Sequence, residues 1–191
     1  MLPRLWVLVA LTFGSLLDAE SGRRQAPSYS AASIVNAATN LPGPLAPNTI
    51  ATIYGTGLSF VTRAVAAEDI RGGVLPILLI GTGVGVYIRG VPAHIYYVSP
   101  TQVNLLIPST LAPGPAVLQL TVDGRAGPAV SIQLSAAAPA LFSASERWIV
   151  ACRPDGSVIG PEQPARPGDL VILYATGLGP TIPNPHSGEL P

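Results

Sequence analysis

Lysine is absent from this 191-residue chain, and all ten basic side chains are arginines. Charge of either sign is scarce at 10% of residues, against about 25% in ordinary soluble domains. The net charge is zero, and the arginines are scattered apart from Arg23-Arg24. A nucleic-acid partner is therefore not expected, because it needs clustered positive charge to displace counterions. Without lysine, strand edges must be guarded by proline, glycine or burial. Cysteine occurs once, as Cys152, so no intrachain disulfide can form and packing alone must hold the fold. A lone thiol in an exported protein is either buried and inert or available for pairing between chains; the strand-like neighbours Trp148-Ile149-Val150-Ala151 favour the inert state. Only two histidines occur, His94 and His186, and neither has a second ligand at metal spacing. Long apolar runs are missing after the amino terminus. The longest candidate, residues 74–86, is broken by Pro76, Gly81, Gly83 and Gly85, so no membrane span is expected there.

What is present is apolar and turn-forming. Hydrophobic residues make up 48% of the chain, and 20 glycines and 21 prolines punctuate it. Short apolar runs between frequent turns point to an all-β protein. Residues 1–21 read as a secretory signal peptide. Arg4 supplies the positive end, residues 5–17 form an apolar stretch too short to span a bilayer, and cleavage is expected after Ala19 or Ser21. Export to the periplasm, the cell surface or the medium follows. Residues 22–32 are small and polar, and read as a flexible lead-in.

The body reads as strands. Residues 49–54 are led in by Pro44 and Pro47 and ended by Gly55 and Gly57. Val84, Val86 and Ile88 alternate with Gly85, Tyr87 and Arg89, the period of a half-buried strand. Gly90-Val91-Pro92 is expected to turn the chain into residues 94–98, and Val103, Leu105 and Ile107 continue the alternation. Residues 116–122 form another run; Asp123-Gly124 is a hairpin signal, with 129–134 as the returning strand. Residues 61–70 read as a loop or a single turn. The sum is a β-sandwich over residues 33–135.

An internal repeat organises the remainder. PNTIATIYGTGL, starting at Pro47, matches PGDLVILYATGL, starting at Pro167, and Pro44 corresponds to Pro164. A proline-led strand ending in Tyr-x-Thr-Gly-Leu thus occurs twice, 120 residues apart, which implies tandem modules. Residues 136–191 are expected to be a partial second β module, either truncated or docked on the first.

Four stretches carry a family resemblance: SIVNAATNLPGPLAPNTIATIYGTGLS, GVPAHIYYVSPTQVNLLIP, APALFS and PDGSVIGPEQPARPGDLVILYATGLGP. In order and spacing they resemble the uncharacterised C-terminal module of exported proteins of soil acidobacteria. The first half is also similar to IPT/TIG domains, which implies an immunoglobulin-like sandwich. The resemblance implies no catalytic or binding residue. The chain departs from the family in lacking the later half of the second module.

Gly81-Thr82-Gly83-Val84-Gly85 has its third glycine one residue too early for a dinucleotide loop, and a strand rather than a helix follows. Gly55-Thr56-Gly57 recurs in the second copy and reads as a structural turn. His94, within a strand, reads as a hydrogen-bonded structural histidine, and no G-x-S-x-G elbow exists. Asp155-Gly156-Ser157 lacks the further carboxylates of a calcium loop and reads as a type I′ hairpin turn after residues 148–152. Glu68 and Asp69 are adjacent, unlike a glycosidase pair. Tyr96 and Tyr97 should point to opposite faces, one into the core and one exposed, which is the only hint of a sugar surface. No catalytic, cofactor-binding or metal-binding residue is expected, and no cofactor. The expected role is a non-catalytic extracellular structural, adhesive or protein-interaction module, with carbohydrate binding as the alternative.

Overall fold

The computed structural model describes residues 26–145, 147–181 and 186–190. The signal-like segment and Arg23-Arg24 lie outside them. In chain order the strands are β1 (Ile34–Asn36), β2 (Leu41–Pro42), β3 (Ile50–Tyr54), β4 (Arg63–Ala64), β5 (Val84–Ile88), β6 (Val91–Pro92), β7 (His94–Val98), β8 (Gln102–Leu106), β9 (Gly114–Val122), β10 (Arg125–Ala126), β11 (Val130–Leu134), β12 (Ala140–Leu141), β13 (Ala151–Cys152), β14 (Ile172–Leu173) and β15 (Ala175–Thr176). Two short 3-10 turns, Ala31–Ser33 and Ala67–Asp69, complete the regular structure. The protein is an all-β sandwich. One sheet runs β2-β1-β3-β8-β7-β4, the other β10-β9-β5-β6 with β11 also on β9, and all named pairings are antiparallel.

The expected alternation builds the core. Val84, Val86 and Ile88 of β5 face inward together with Leu118, Leu120 and Val122 of β9, and they lie opposite one another in register. Ala51 and Ile53 of β3 do the same with Leu105 and Val103 of β8 from the other sheet. All belong to one apolar cluster. Each large aliphatic side chain buried in this way contributes roughly 1.5–3 kcal/mol.

The turns depart from expectation in instructive ways. The β5–β6 hairpin turns on Arg89-Gly90, with φ of 50° and 76°, and Val91-Pro92 form the return strand. The turn thus comes one residue earlier than Gly90-Val91-Pro92 suggests. Arg89 tolerates the left-handed region because its guanidinium donates to the carbonyls of Pro115, at 2.7 and 3.2 Å, and Ala112, at 2.9 Å. Asp123-Gly124 is the expected type I′ turn, with φ of 47° and 75°. Its return strand begins at once with β10 rather than at residue 129. Arg125 lies opposite Val122, but from Val130 opposite Leu118 the register has slipped by one residue, which marks a bulge at 127–129. Residues 61–70 hold the short β4 and one 3-10 turn, close to expectation.

Tyr29 repairs that bulge. The carbonyl of Gly127 is taken by the Gln119 side chain at 3.1 Å. The buried Leu120 N–H instead donates to Tyr29 Oη at 2.7 Å, and Tyr29 Oη donates to the Pro128 carbonyl at 2.6 Å. Residues 26–32, expected within a flexible lead-in, are therefore part of the sandwich: Tyr29 is buried and Ser28 exchanges two main-chain bonds with Thr56, both 2.9 Å.

Among the described residues, no helix is long and apolar enough to cross a membrane.

Candidate functional site

Residues 47–58 and their match in sequence, residues 167–178, are locally built alike. In the first, Thr49 Oγ1 accepts the Ala46 N–H at 3.0 Å, and the Thr49 N–H donates to the Ala46 carbonyl at 3.0 Å. In the second, Asp169 Oδ2 accepts the Arg166 N–H at 3.0 Å, and the Asp169 N–H donates to the Arg166 carbonyl at 3.0 Å. Between them stand left-handed Asn48 (φ 62°) and Gly168 (φ 93°). The strands that follow pair alike. Ile53 lies opposite Ile34, as Leu173 lies opposite Ala151, and Thr56 bridges Ser28, as Thr176 lies opposite Ala140. Val35 and its counterpart Cys152 then meet a further return segment, at Pro42 and Val158 respectively. The resemblance noticed at one strand therefore extends to a β-layer of three segments.

The two copies differ in what covers them. Ala51, Thr52 and Ile53 are 0%, 3% and 0% exposed, whereas Val171, Ile172 and Leu173 are 36%, 39% and 47% exposed. In the first copy β3 lies between β1 and β8 and faces the second sheet; in the second, among the described residues, β14 has β13 on one side and no strand on the other. Trp148, Ile149, Val158, Leu170 and Tyr174 are also exposed. Apolar clefts of about 490 Å³ lie on either side of this layer. One is lined by Phe142, Val150, Cys152, Val158 and Tyr174, the other by Trp148, Ile149, Ala151, Ile159 and Val171.

The second copy is anchored on the first. The Thr176 hydroxyl accepts the Ile50 N–H at 2.8 Å, and the Ser143 N–H donates to the Ala38 carbonyl at 3.2 Å. A side chain at Gly177 would collide with the Ala138 carbonyl, and its φ of 75° suits glycine. The Arg153–Asp169 ion pair, at 3.5 Å, ties the hairpin to the proline-led strand.

Cys152 is buried with a free thiol, and its Sγ lies 3.3 Å from Tyr174 Oη. That hydrogen bond, with the electrostatic influence of the same thiol, raises the Tyr174 phenol above its ordinary value. The turn at Asp155 is not type I′. The Gly156 N–H donates to the Arg153 carbonyl at 2.9 Å and only Gly156 has positive φ (83°), so it is a three-residue loop with a type I turn and a glycine bulge. Pro154 dictates this, because its ring holds φ negative where a type I′ turn needs it positive. Asp155 Oδ1 accepts the Ser157 N–H at 2.9 Å, which lowers its carboxyl below the ordinary value.

His94 is buried, and its Nδ1 donates to the Leu75 carbonyl at 2.6 Å. Gly188 packs on its ring, held by the Leu75 N–H donating to the Gly188 carbonyl at 2.9 Å. A cleft of about 370 Å³ beside it is lined by Glu68, Asp69, Arg71 and aliphatic side chains. Asp69 is already engaged, with Arg63 at 2.6 Å and the Ala66 N–H at 2.9 Å. His186 is exposed, and its N–H donates to Glu189 at 2.9 Å. Gly81 and Gly83 have positive φ in a turn that leads directly into β5. Tyr96 and Tyr97 are both half-buried, because a bulge between Ile95 and Tyr97 breaks the alternation that would put them on opposite faces. Burial raises the Tyr96 phenol. Among the described residues, no group of three His, Cys, Asp or Glu side chains could hold a metal ion.

No protein-family model matches the chain, and no curated protein matches it.

Proposed function

We propose that this chain is a non-catalytic module of an exported protein, acting at the cell surface, in the periplasm or in the medium as a structural, adhesive or protein-interaction unit. The observation that carries the reading is the contrast between the two copies: one sandwich is closed over its core, while the layer beside it keeps apolar side chains and a strand edge in solvent. Apolar side chains exposed together on one ordered layer support a role in association. The resemblance to the exported acidobacterial module and to IPT/TIG immunoglobulin-like domains agrees with it, as does the signal-like start. Carbohydrate binding is the second reading, favoured by Trp148, a residue 52% exposed at the edge of an apolar cleft.

Two measurements test the proposal. Residues 1–32 fused to a reporter active only after export should give activity that disappears when residues 5–17 are deleted. The purified chain should show no reproducible specificity on a glycan array and no turnover of ester, peptide or glycoside substrates. Specific glycan signals abolished by Trp148→Ala would replace the first reading by the second, and turnover would overturn both.

A further inference from the structure

We propose that residues 186–190 are a releasable strap: a pre-folded turn that seats on His94 and lifts as a unit while the sandwich stays folded. The turn closes on itself. The His186 N–H donates to Glu189 Oε2 at 2.9 Å, and the Glu189 N–H donates to the His186 carbonyl at 3.0 Å. Residues 46–49 and 166–169 close in the same way, with Asn48 and Gly168 at the place of Gly188, whose φ is 79°. The seat is equally defined. Gly72 and Gly73, with φ of 59° and 77°, turn the chain so that Val74 lies opposite Glu189. The Leu75 N–H then donates to the Gly188 carbonyl at 2.9 Å, and the Leu190 N–H donates to the Gly73 carbonyl at 2.8 Å. The Leu75 carbonyl in turn accepts from His94 Nδ1 at 2.6 Å, which fixes the ring against Gly188. A Cβ at position 188 would run into Cε1, Nδ1 and Nε2 of that ring, whereas a Cβ at position 168 would meet nothing within 4 Å. The strap is therefore keyed by its glycine.

Two features favour lifting. Of residues 186–190 only Gly188 is buried, and Leu190 is 37% exposed. Main-chain bonds rather than apolar burial hold the strap, which places it among segments that open locally. The second feature is Ser109. Its N–H donates to Ser187 Oγ at 3.3 Å, but its own hydroxyl is shut off from solvent with no partner among the described residues. A buried hydroxyl without a partner disfavours the state that buries it, and lifting the strap lets water reach it. Release bares the Leu75 N–H, the Gly73 carbonyl and one face of the His94 ring together. It leaves the bond from the Ile50 N–H to Thr176 in place.

Native-state hydrogen exchange of the purified chain at one fixed pH tests this. Leu75 and Leu190 report the strap, Ile50 the bond to Thr176, and Ile107, which donates to the Thr49 carbonyl at 2.9 Å, the sandwich. Protection of Leu75 and Leu190 should agree within about threefold and lie at least about a hundredfold below that of Ile107. Ser109→Ala keeps the N–H bond to Ser187 and removes the stranded hydroxyl. It should raise protection at Leu75 and Leu190 about fivefold and leave Ile50 and Ile107 unchanged. Asparagine accepts positive φ, as Asn48 does (φ 62°), so it isolates the collision with the ring. Gly188→Asn should lower protection at both strap amides by at least about tenfold, while Gly168→Asn leaves the Asp169 amide as in the parent. Strap amides protected as strongly as Ile107, or diverging from each other, overturn the proposal. So does a Ser109→Ala gain that appears at Ile107 rather than at the strap, an equal loss in the two asparagine variants, or a Gly188→Asn chain without a melting transition.

Discussion

Replacing Tyr29 by phenylalanine should cost this sandwich about 2–4 kcal/mol, although it removes a single oxygen. The hydroxyl stands between the Leu120 N–H at 2.7 Å and the Pro128 carbonyl at 2.6 Å, where a one-residue slip interrupts the ladder between β9 and the β10–β11 strand. A phenylalanine keeps the ring packing but leaves a buried main-chain donor without a partner and strips the Pro128 carbonyl of its bond. An unsatisfied buried group costs roughly 1–3 kcal/mol, and the second lost bond adds about 1 kcal/mol. At about 4 °C per kcal/mol for a domain of this size, the melting temperature should fall by roughly 8–16 °C. Urea unfolding at neutral pH, with an unchanged m-value, is the matching equilibrium measurement.

The same phenol gives a pH signature. Burial raises its pKa above 10.0, and the Leu120 N–H offsets part of that rise. A folded-state pKa above the unfolded one means the contribution is whole below pH 10.0 and is lost as pH rises through the folded value. Tyr96 is raised in the same direction, so the parent and Tyr29→Phe must be compared: the variant should lose less stability on going to strong alkali. A variant within about 0.5 kcal/mol of the parent at neutral pH, the range of an ordinary surface substitution, would refute the bridging role.

Other substitutions test the remaining structure. Gly83→Ala should destabilise by about 2–4 kcal/mol in urea titrations, because φ is 65° there and the new methyl would run into the Asp123 side chain. Gly188→Ala would place a methyl on the His94 ring, so the Leu75 and Leu190 amides should exchange faster while the melting temperature stays near that of the parent. Asp155 has its pKa lowered below 3.8, so its support of the hairpin is present above that pH and is lost as pH falls through the folded value. The protection of the Ser157 amide, relative to its intrinsic exchange rate at each pH, should therefore fall in acid, and Asp155→Ala should remove that fall.

The sandwich was legible wherever one face of a strand meets the core. Val84, Val86 and Ile88, and then Ala116 through Val122, show their period of two because the opposite face meets solvent. Features that depend on a partner distant in sequence were not legible. Tyr29 looks like one tyrosine in a polar lead-in, and only the bulge opposite Leu120, 91 positions away, gives its hydroxyl a task. Arg89 reads as an exposed strand residue, because the carbonyls that hold it in the left-handed region belong to residues 112 and 115. The tyrosine pair lost its expected geometry to a bulge that no local pattern announces. The candidate site was half legible. The match between residues 47–58 and 167–178 pointed to the two stretches, but sequence similarity does not report that one of them is covered and the other is not.

The Thr176 hydroxyl that accepts the Ile50 N–H also bears on how the chain responds to load. A tether attached at the second copy pulls on β3, a central strand of the first sheet, rather than on a slack hinge. That bond and the one from the Ser143 N–H to the Ala38 carbonyl would carry such a load between the two together.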